Sequence, residues 1–439
     1  MIFFSVLSIL ITAVHFYLWK RLILDTTLPG SLARRIGTIA LVVCVALMIA
    51  ALSLGTTVSP QVARWFAWPG YLWLAMFFYL LLLLLALELP RLVLRRWLRE
   101  DDGDGRDGRD GRDAKGGAKH DSAAASDADP VTGADPAATT DPAPVSDAGT
   151  DAVTSDRSPR MSRRLLLSRG SAALAGAVSL GLVGYGTTVA MGPPTITRVP
   201  ITLRRLDPRA GGCRIALISD VHLGPIIGRD FTQRIVDLVN AERVDLVAIA
   251  GDLVDGDVAD LADAASPLAD LRSTHGTFLV TGNHEYYVGY RQWIDFVPSL
   301  GIRPLRNERV EIRHRGGVFD LAGINDATGY QWQDPGDVGK ALAGRNTERA
   351  AVLIAHQPVD FDDAVRHDVD LMLAGHTHGG QLSPFELAVN LQQGAVAGFY
   401  QRERTKMYVT RGAGFWGPPV RVGAPPDITI VELRPARTP

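Results

Sequence analysis

Residues 373–381 read L-A-G-H-T-H-G-G-Q: two histidines one residue apart, between glycines, directly after an apolar run. Imidazoles so placed suit metal-ligand chemistry. In an extended strand residues i and i+2 share a face, so His376 and His378 would aim at one point if the strand runs on through them. Four other apolar runs end in the same kind of residue. "RIALIS" leads into Asp220-Val221-His222, "DLVAIA" into Gly251-Asp252 with Asp255 following, "TFLVT" into Gly282-Asn283-His284-Glu285, and "AVLIA" into His356. Singly, each has a plain explanation as a helix cap, a turn residue or a satisfied core histidine. Together these run ends hold five of the ten histidines, so five plain explanations would have to coincide. His15, His120, His275, His314 and His367 have no such company and read as structural or exposed.

Imidazoles, carboxylates and one amide oxygen, with no thiolate among them, suit Mn, Fe or Zn in a reactive site rather than a structural zinc. There are too many donors for one ion. Two divalent ions roughly 3.5–4 Å apart and sharing a bridging carboxylate would use them all, and such a pair is the clamp suited to in-line displacement at phosphorus. The chemistry to expect is hydrolysis of a phosphate ester.

The elements that must position these residues follow from the apolar runs. Candidate strands are 214–219, 245–251, 276–282, 318–324, 350–356, 369–375, 406–412 and 427–433. Several are apolar on successive residues, as strands buried on both faces should be. The helical stretch Phe231–Ala241 supplies a βαβ step between the first two. In open α/β sheets ligands bind just beyond the carboxyl ends of strands, which is where these polar residues fall.

The rest of the 439-residue chain differs in kind. Hydrophobic residues make up 47% and mean hydropathy is +0.10, high for a chain that also carries a long polar segment. Apolar runs at 1–19, 36–54 and 71–89 are each close to the ~20 residues that cross a bilayer as a helix. We therefore read 1–99 as three transmembrane spans. Lys20, Arg21, Arg34, Arg35, Arg91, Arg95, Arg96 and Arg99 flank them so that the positive-inside bias puts the N-terminus outside. Residues 100–160, opening with a G-R-D repeat and nearly free of large apolar side chains, read as a disordered linker. Residues 161–194 read as a fourth span or a twin-arginine-like signal anchor beginning at Arg163-Arg164. Either reading makes the domain 195–439 extracytoplasmic. The formal net charge of −2 offers no broad basic footprint, so nucleic acid is not an expected partner. Cys44 and Cys213 lie in different segments, which argues against an intrachain disulfide.

D-x-H at 220–222, G-D-x-x-D at 251–255, G-N-H-E at 282–285, His356 and G-H-T-H at 375–378 resemble, in order, the five motifs of the calcineurin-like metallophosphoesterases; the membrane segments upstream resemble the bacterial membrane-associated branch. The resemblance implies an α/β fold: a β-sandwich of two mixed sheets flanked by helices, here preceded by transmembrane α-helices. It also implies roles. Asp220, His222 and His378 would hold one metal, Asn283, His356 and His376 the other, with Asp252 bridging. His284 would give a proton to the leaving oxygen or stabilise phosphoryl charge, and a metal-bridging hydroxide would attack phosphorus. Asp255 and Glu285 would orient ligands.

Substrate signals are thinner. Phe385, Phe399, Tyr400, Phe415 and Trp416 could face lipid or line a pocket for an acyl or aromatic group, although ordinary core packing is the simpler account. Arg411 could contact phosphate or lie on the surface. The expected function is a membrane-anchored, dinuclear phosphoesterase acting on a phosphodiester or lipid-linked phosphate. The competing readings are a membrane sensor or scaffold that binds a phosphorylated ligand without turnover, a transporter built on the early spans, and an extracellular nuclease.

Overall fold

The computed structural model describes residues 2–93 and 163–436. The linker at 100–160, with His120, Arg95, Arg96 and Arg99, lies outside the described residues. Four long helices come first: α1 (Ile2–Trp19), α2 (Leu32–Leu54), α3 (Pro60–Val93) and α4 (Arg163–Met191). The last three are long and apolar enough to cross a membrane. Side chains such as Ile36, Ile39, Val42, Leu85, Leu89 and Leu180 stand exposed along them, an outer surface suited to lipid rather than water. Inside the group Leu18, Leu80, Leu84 and Ala175 pack α1, α3 and α4 together. α2 and α3 meet at Gly70, where a Cβ would overlap the Leu47 carbonyl. α3 begins at Pro60, eleven residues before the apolar run at Tyr71, because proline is welcome in a first helical turn.

From Thr195 the chain builds two six-stranded sheets. The first contains β1 (Thr195–Leu203), β2 (Arg214–Ile218), β3 (Leu246–Ala250), β4 (Thr277–Val280), β5 (Ile302–Pro304) and β12 (Asp427–Pro435), ordered β1-β12-β2-β3-β4-β5. The second contains β6 (Glu308–His314), β7 (Gly317–Gly323), β8 (Ala351–Ile354), β9 (Leu371–Ala374), β10 (Gly398–Arg402) and β11 (Thr405–Val409), ordered β10-β11-β9-β8-β7-β6. Both are mixed: β2–β5 run parallel, as do β7, β8, β9 and β11, while β12 against β2, β6 against β7 and β10 against β11 are antiparallel.

Period-two alternation explains the layering. Ile215, Leu217, Leu246 and Ala248 face Leu321, Val352, Ile354 and Leu373 across the gap between the sheets. The alternate residues Ala216, Ile218, Val247 and Ile249 face outward onto α5 (Arg229–Ala241), α6 (Val258–Ala265), α7 (Asn283–Val288) and α8 (Tyr290–Phe296). The second sheet's outer residues, among them Leu353, Met372 and Val409, are covered by α9 (Val338–Ala341) and α10 (Phe361–Arg366). A last short helix, α11 (Glu386–Gln393), follows the His376–His378 segment. The result is the expected β-sandwich of mixed sheets flanked by helices. Cys44 and Cys213 are both free thiols.

Candidate metal centre

Because β2, β3 and β4 run parallel in one sheet and β7, β8 and β9 in the other, six strand ends discharge at one rim. Asp220 and His222 follow β2, Asp252 and Asp255 follow β3, Asn283 to Glu285 open α7 after β4, His356 follows β8, and His376 and His378 follow β9. Two separate groups of donors form, Asp220, His222 and His378 in one and Asp252, His356 and His376 in the other; a third, His222, Asp252 and His284, overlaps both.

Asp252 stands between them. Its Oδ2 lies 3.1 Å from His356 Nε2 and 3.8 Å from His222 Nε2. His222 Nε2 is 3.0 Å from His378 Nε2, which is 3.4 Å from Asp220 Oδ1. On the other side His356 Nε2 meets Asn283 Oδ1 at 3.1 Å and His376 Nδ1 at 3.2 Å. All seven predicted ligand positions are therefore brought together. One expectation about how this happens is corrected: β9 ends at Ala374, and His376 and His378 sit in left-handed backbone (φ +71° and +49°), so they join different groups instead of sharing a strand face.

The donor set fits divalent cations. His222 Nδ1–H donates to Asp255 Oδ1 at 2.8 Å and His356 Nδ1–H to the Ala250 carbonyl at 2.7 Å, which leaves both Nε2 atoms as acceptors. His356 Nε2 would then face a carboxylate oxygen, an amide oxygen and an imidazole, a repulsive arrangement unless positive charge sits among them. Without a metal that charge comes from a proton. Burial opposes it, but Asp252 and Asp220 raise the His356 pKa well above the ordinary value. His376 is pushed down to about 4 by burial and by His356, and His378 well down by burial and the Arg421 guanidinium, so both are neutral as ligands must be. Burial alone would raise Asp252, yet His356, His284 and His222 hold it well below the carboxylate range.

His284 lies beside these groups. Its Nδ1–H donates to Asp255 Oδ1 at 2.7 Å, its backbone N–H donates to Asp252 Oδ1 at 2.9 Å, and its ring packs edge-on against His222 at 4.5 Å. Burial lowers its pKa, but Asp252 and Asp255 carry it up to about 9, so the ring is protonated at neutral pH. Glu285 works from beneath. Its buried carboxylate accepts the N–H groups of Gly282, Asp252 and Leu253 at 2.6–3.0 Å, tying the β4 end to the β3 end.

Some residues at this rim went unread in the sequence. Asn325 and Asp326 follow β7 as the other polar residues follow their strands, and Asp326 accepts the Gln357 amide at 3.0 Å next to His356; the signal was the same strand-end position. Arg421, fully buried, donates to the carbonyls of His378, Ala424 and Gly414 and pins the G-H-T-H turn. No local pattern marks an arginine for burial. Trp416 and Tyr287 flank the His284 ring at 6.4 and 5.5 Å, and a small cavity joins His222 and Asp255 to Gly55, Thr56 and Tyr71 of the α2–α3 corner. Of the aromatic residues considered for lipid, Phe415 is buried, whereas Phe385, Phe399 and Trp416 are about half exposed. Arg411 lies 3.5 Å from Asp427. His275 and His314 pair with each other at 3.0 Å, beside Cys213 and Asp245 at the opposite ends of β2 and β3.

The chain is similar to known proteins. Residues 213–380 match the family model described as calcineurin-like phosphoesterase. An uncharacterized metallophosphoesterase of Helicobacter pylori is 41% identical over 262 residues, 58% of this chain and 69% of that one. A zebrafish (Danio rerio) protein named as a transmembrane protein with metallophosphoesterase domain is 39% identical over 265 residues, 58% of this chain and 61% of that one. An uncharacterized metallophosphoesterase of Aquifex aeolicus is 34% identical across 52% of this chain and 87% of its own length. With a relative 41% identical over more than two thirds of its own length and residues 213–380 matching the family model, the chain belongs to the calcineurin-like metallophosphoesterase family.

Proposed function

We propose that the protein is a membrane-anchored phosphoric ester hydrolase with a two-cation centre, acting on a phosphodiester or a lipid-linked phosphate. The observation that carries this reading is the position of Asp252, whose one carboxylate oxygen is within 4 Å of an imidazole nitrogen from each donor group. Asp220, His222 and His378 would hold one divalent ion (Mn, Fe or Zn) and Asn283, His356 and His376 the other. Bound there, the pair would supply positive charge to the phosphoryl oxygens and lower the pKa of water at the site.

The chain's own residues do the rest. His284, aimed by Asp255, would donate a proton to the departing oxygen as that P–O bond breaks and the water oxygen bonds to phosphorus. Asp255 serves both His222 and His284 through one oxygen, so ligand and acid are set by the same group. Burial of the whole cluster strengthens each of these interactions relative to water.

The anchor reading is supported by α2, α3 and α4 and by the name of the zebrafish relative. The α2–α3 corner and the end of α4 adjoin the sandwich, as required if the N-terminus and residues 195–439 share the extracytoplasmic side. The test is hydrolysis of bis(p-nitrophenyl) phosphate and p-nitrophenyl phosphate by metal-stripped protein resupplied with Mn, Zn, Fe or Mg. Metal-restored turnover that disappears in Asp252→Asn is the expected result. A folded, metal-loaded protein that turns over neither ester would count against the reading.

A further inference from the structure

α11 leaves its large apolar side chains exposed. Leu391 is 90% exposed, Leu387 72% and Phe385, just before the helix, 47%, whereas Gln393 is only 5% exposed. The inward polar group is engaged: the Gln393 amide donates to Gln357 Oε1, and Gln357 donates in turn to Asp326. So the row of Leu387 and Leu391 looks out from the sandwich, beside the exposed Asn390 and Gln392, while Gln393 ties the helix to the strand end that carries His356.

The surroundings identify what the row meets. The Phe385 ring stands edge-on to Phe78 of α3, with centroids 6.2 Å apart. Phe78 lies seven residues into the apolar run that begins at Tyr71, or about 10 Å along the helix axis. α4 gives the same level independently. Val420, Leu382 and Val422 cluster with Val183, and the Arg421 N–H donates to the Gly186 carbonyl at 2.9 Å. Val183 lies eight residues, or about 12 Å, before the end of α4 at Met191. Two helices thus put this edge of the sandwich well below the tops of their apolar segments. Against a hydrocarbon layer ~30 Å thick these contacts lie about a third of the way in, near the deeper limit of the ~5–10 Å to which an interfacial helix buries its apolar face, so α11 starts below the headgroups.

We infer that α11 is an interfacial helix whose Leu387 and Leu391 face, with Phe385 at its start, lies in the bilayer that holds α3 and α4, so that the metal centre opens onto the headgroup layer and takes phosphate esters carried on lipids. The substrate part rests on the hydrolase reading above; the helix placement does not. The half-exposed Trp416 and Tyr287 beside His284 supply the amphipathic side chains that such a boundary favours.

The test uses the full chain with Cys44→Ala and Cys213→Ala, carrying an environment-sensitive fluorophore at Leu391→Cys or, as a remote control, at Arg313→Cys, in phosphatidylcholine–phosphatidylglycerol nanodiscs. Bromine-labelled lipid should quench the label at 391 and spare the control, and iodide should do the reverse. A label at 391 quenched by iodide as strongly as the control, and untouched by bromolipid, overturns the proposal. A second arm assays Leu387→Asp with Leu391→Asp on vesicle-borne phosphatidic acid and on bis(p-nitrophenyl) phosphate. The lipid rate should fall roughly tenfold while the soluble rate holds, a modest loss because α3 and α4 still keep the domain at the membrane. Equal rates for variant and parent on both substrates overturn the substrate part. If the parent hydrolyses neither ester, the hydrolase reading fails, and the fluorescence result still decides where α11 lies.

Discussion

Asp252 sits at φ +51°, and Asp220, His222, His376 and His378 are also in left-handed backbone, at +56°, +54°, +71° and +49°. Each such residue costs about 1–2 kcal/mol, so the cluster is held by something else. The holders are cross-loop hydrogen bonds: Asp220 N–H to the Gly251 carbonyl, His222 N–H to the Asp252 carbonyl, Asp252 N–H to Glu285, and His376 N–H to Asp220. Their cooperation explains why residue types were legible in the sequence and directions were not. Five strand ends rich in Asp, Asn and His announce a polar rim, but the turn that separates His376 from His378 depends on an Asp220 carboxylate 156 residues away in the chain. Within the rim His284 shares a donor group with His222 and Asp252, but its Nδ1 is taken by Asp255 and its backbone N–H by Asp252. His284→Gln should therefore keep the metal content of the parent while lowering kcat by roughly 10²–10⁴. Elemental analysis beside steady-state kinetics checks this, and metal loss in parallel with activity would reassign His284 as a ligand.

The elements that carry these residues divide sharply by burial. The eight strands read from the sequence are the interior strands of the two sheets, apolar on both faces because a sheet and a helix layer cover them. The four that went unread, β1, β5, β6 and β10, are the four sheet edges. Their sequences are what an edge requires: a proline and an arginine inside "TITRVPITL", alternating charge in "ERVEIRH", and three residues in β5. A period-based reading loses them because protection against edge-to-edge pairing erases the apolar signal. Between the interior strands the tightest joint is Glu285, whose carboxylate satisfies N–H groups from the β3 and β4 ends at once. Glu285→Ala would leave those buried donors unpaired, at about 1–3 kcal/mol each before relaxation, so a loss of at least ~3 kcal/mol is expected. Thermal unfolding of the full chain in detergent measures it. A variant as stable as the parent would show that water replaces the carboxylate without cost.

At the scale of the whole molecule, the long apolar helices and the sandwich share an edge. Tyr71 and the α2–α3 corner reach the cavity beside His222 and Asp255, and the 382–385 and 420–422 segments lie along α3 and α4. The apolar runs were visible in the sequence by length and hydropathy alone. Which face of α3 meets the sandwich was not, because a helix apolar all round has no period from which to read it. The shared edge would make the proposed tether part of the site's wall, but it does not change the chemistry that the account depends on. The proposed chemistry needs a pair of divalent cations, which the two donor groups on either side of Asp252 would hold. The most direct test is the divalent-metal content per chain, by elemental analysis, of the full-length protein and of Asp252→Asn after equilibration with Mn or Zn. The account predicts about two ions per chain in the parent and less than about one in the variant, whose neutral amide cannot balance two charges. A single ion in the parent, or an undiminished pair in the variant, would contradict it.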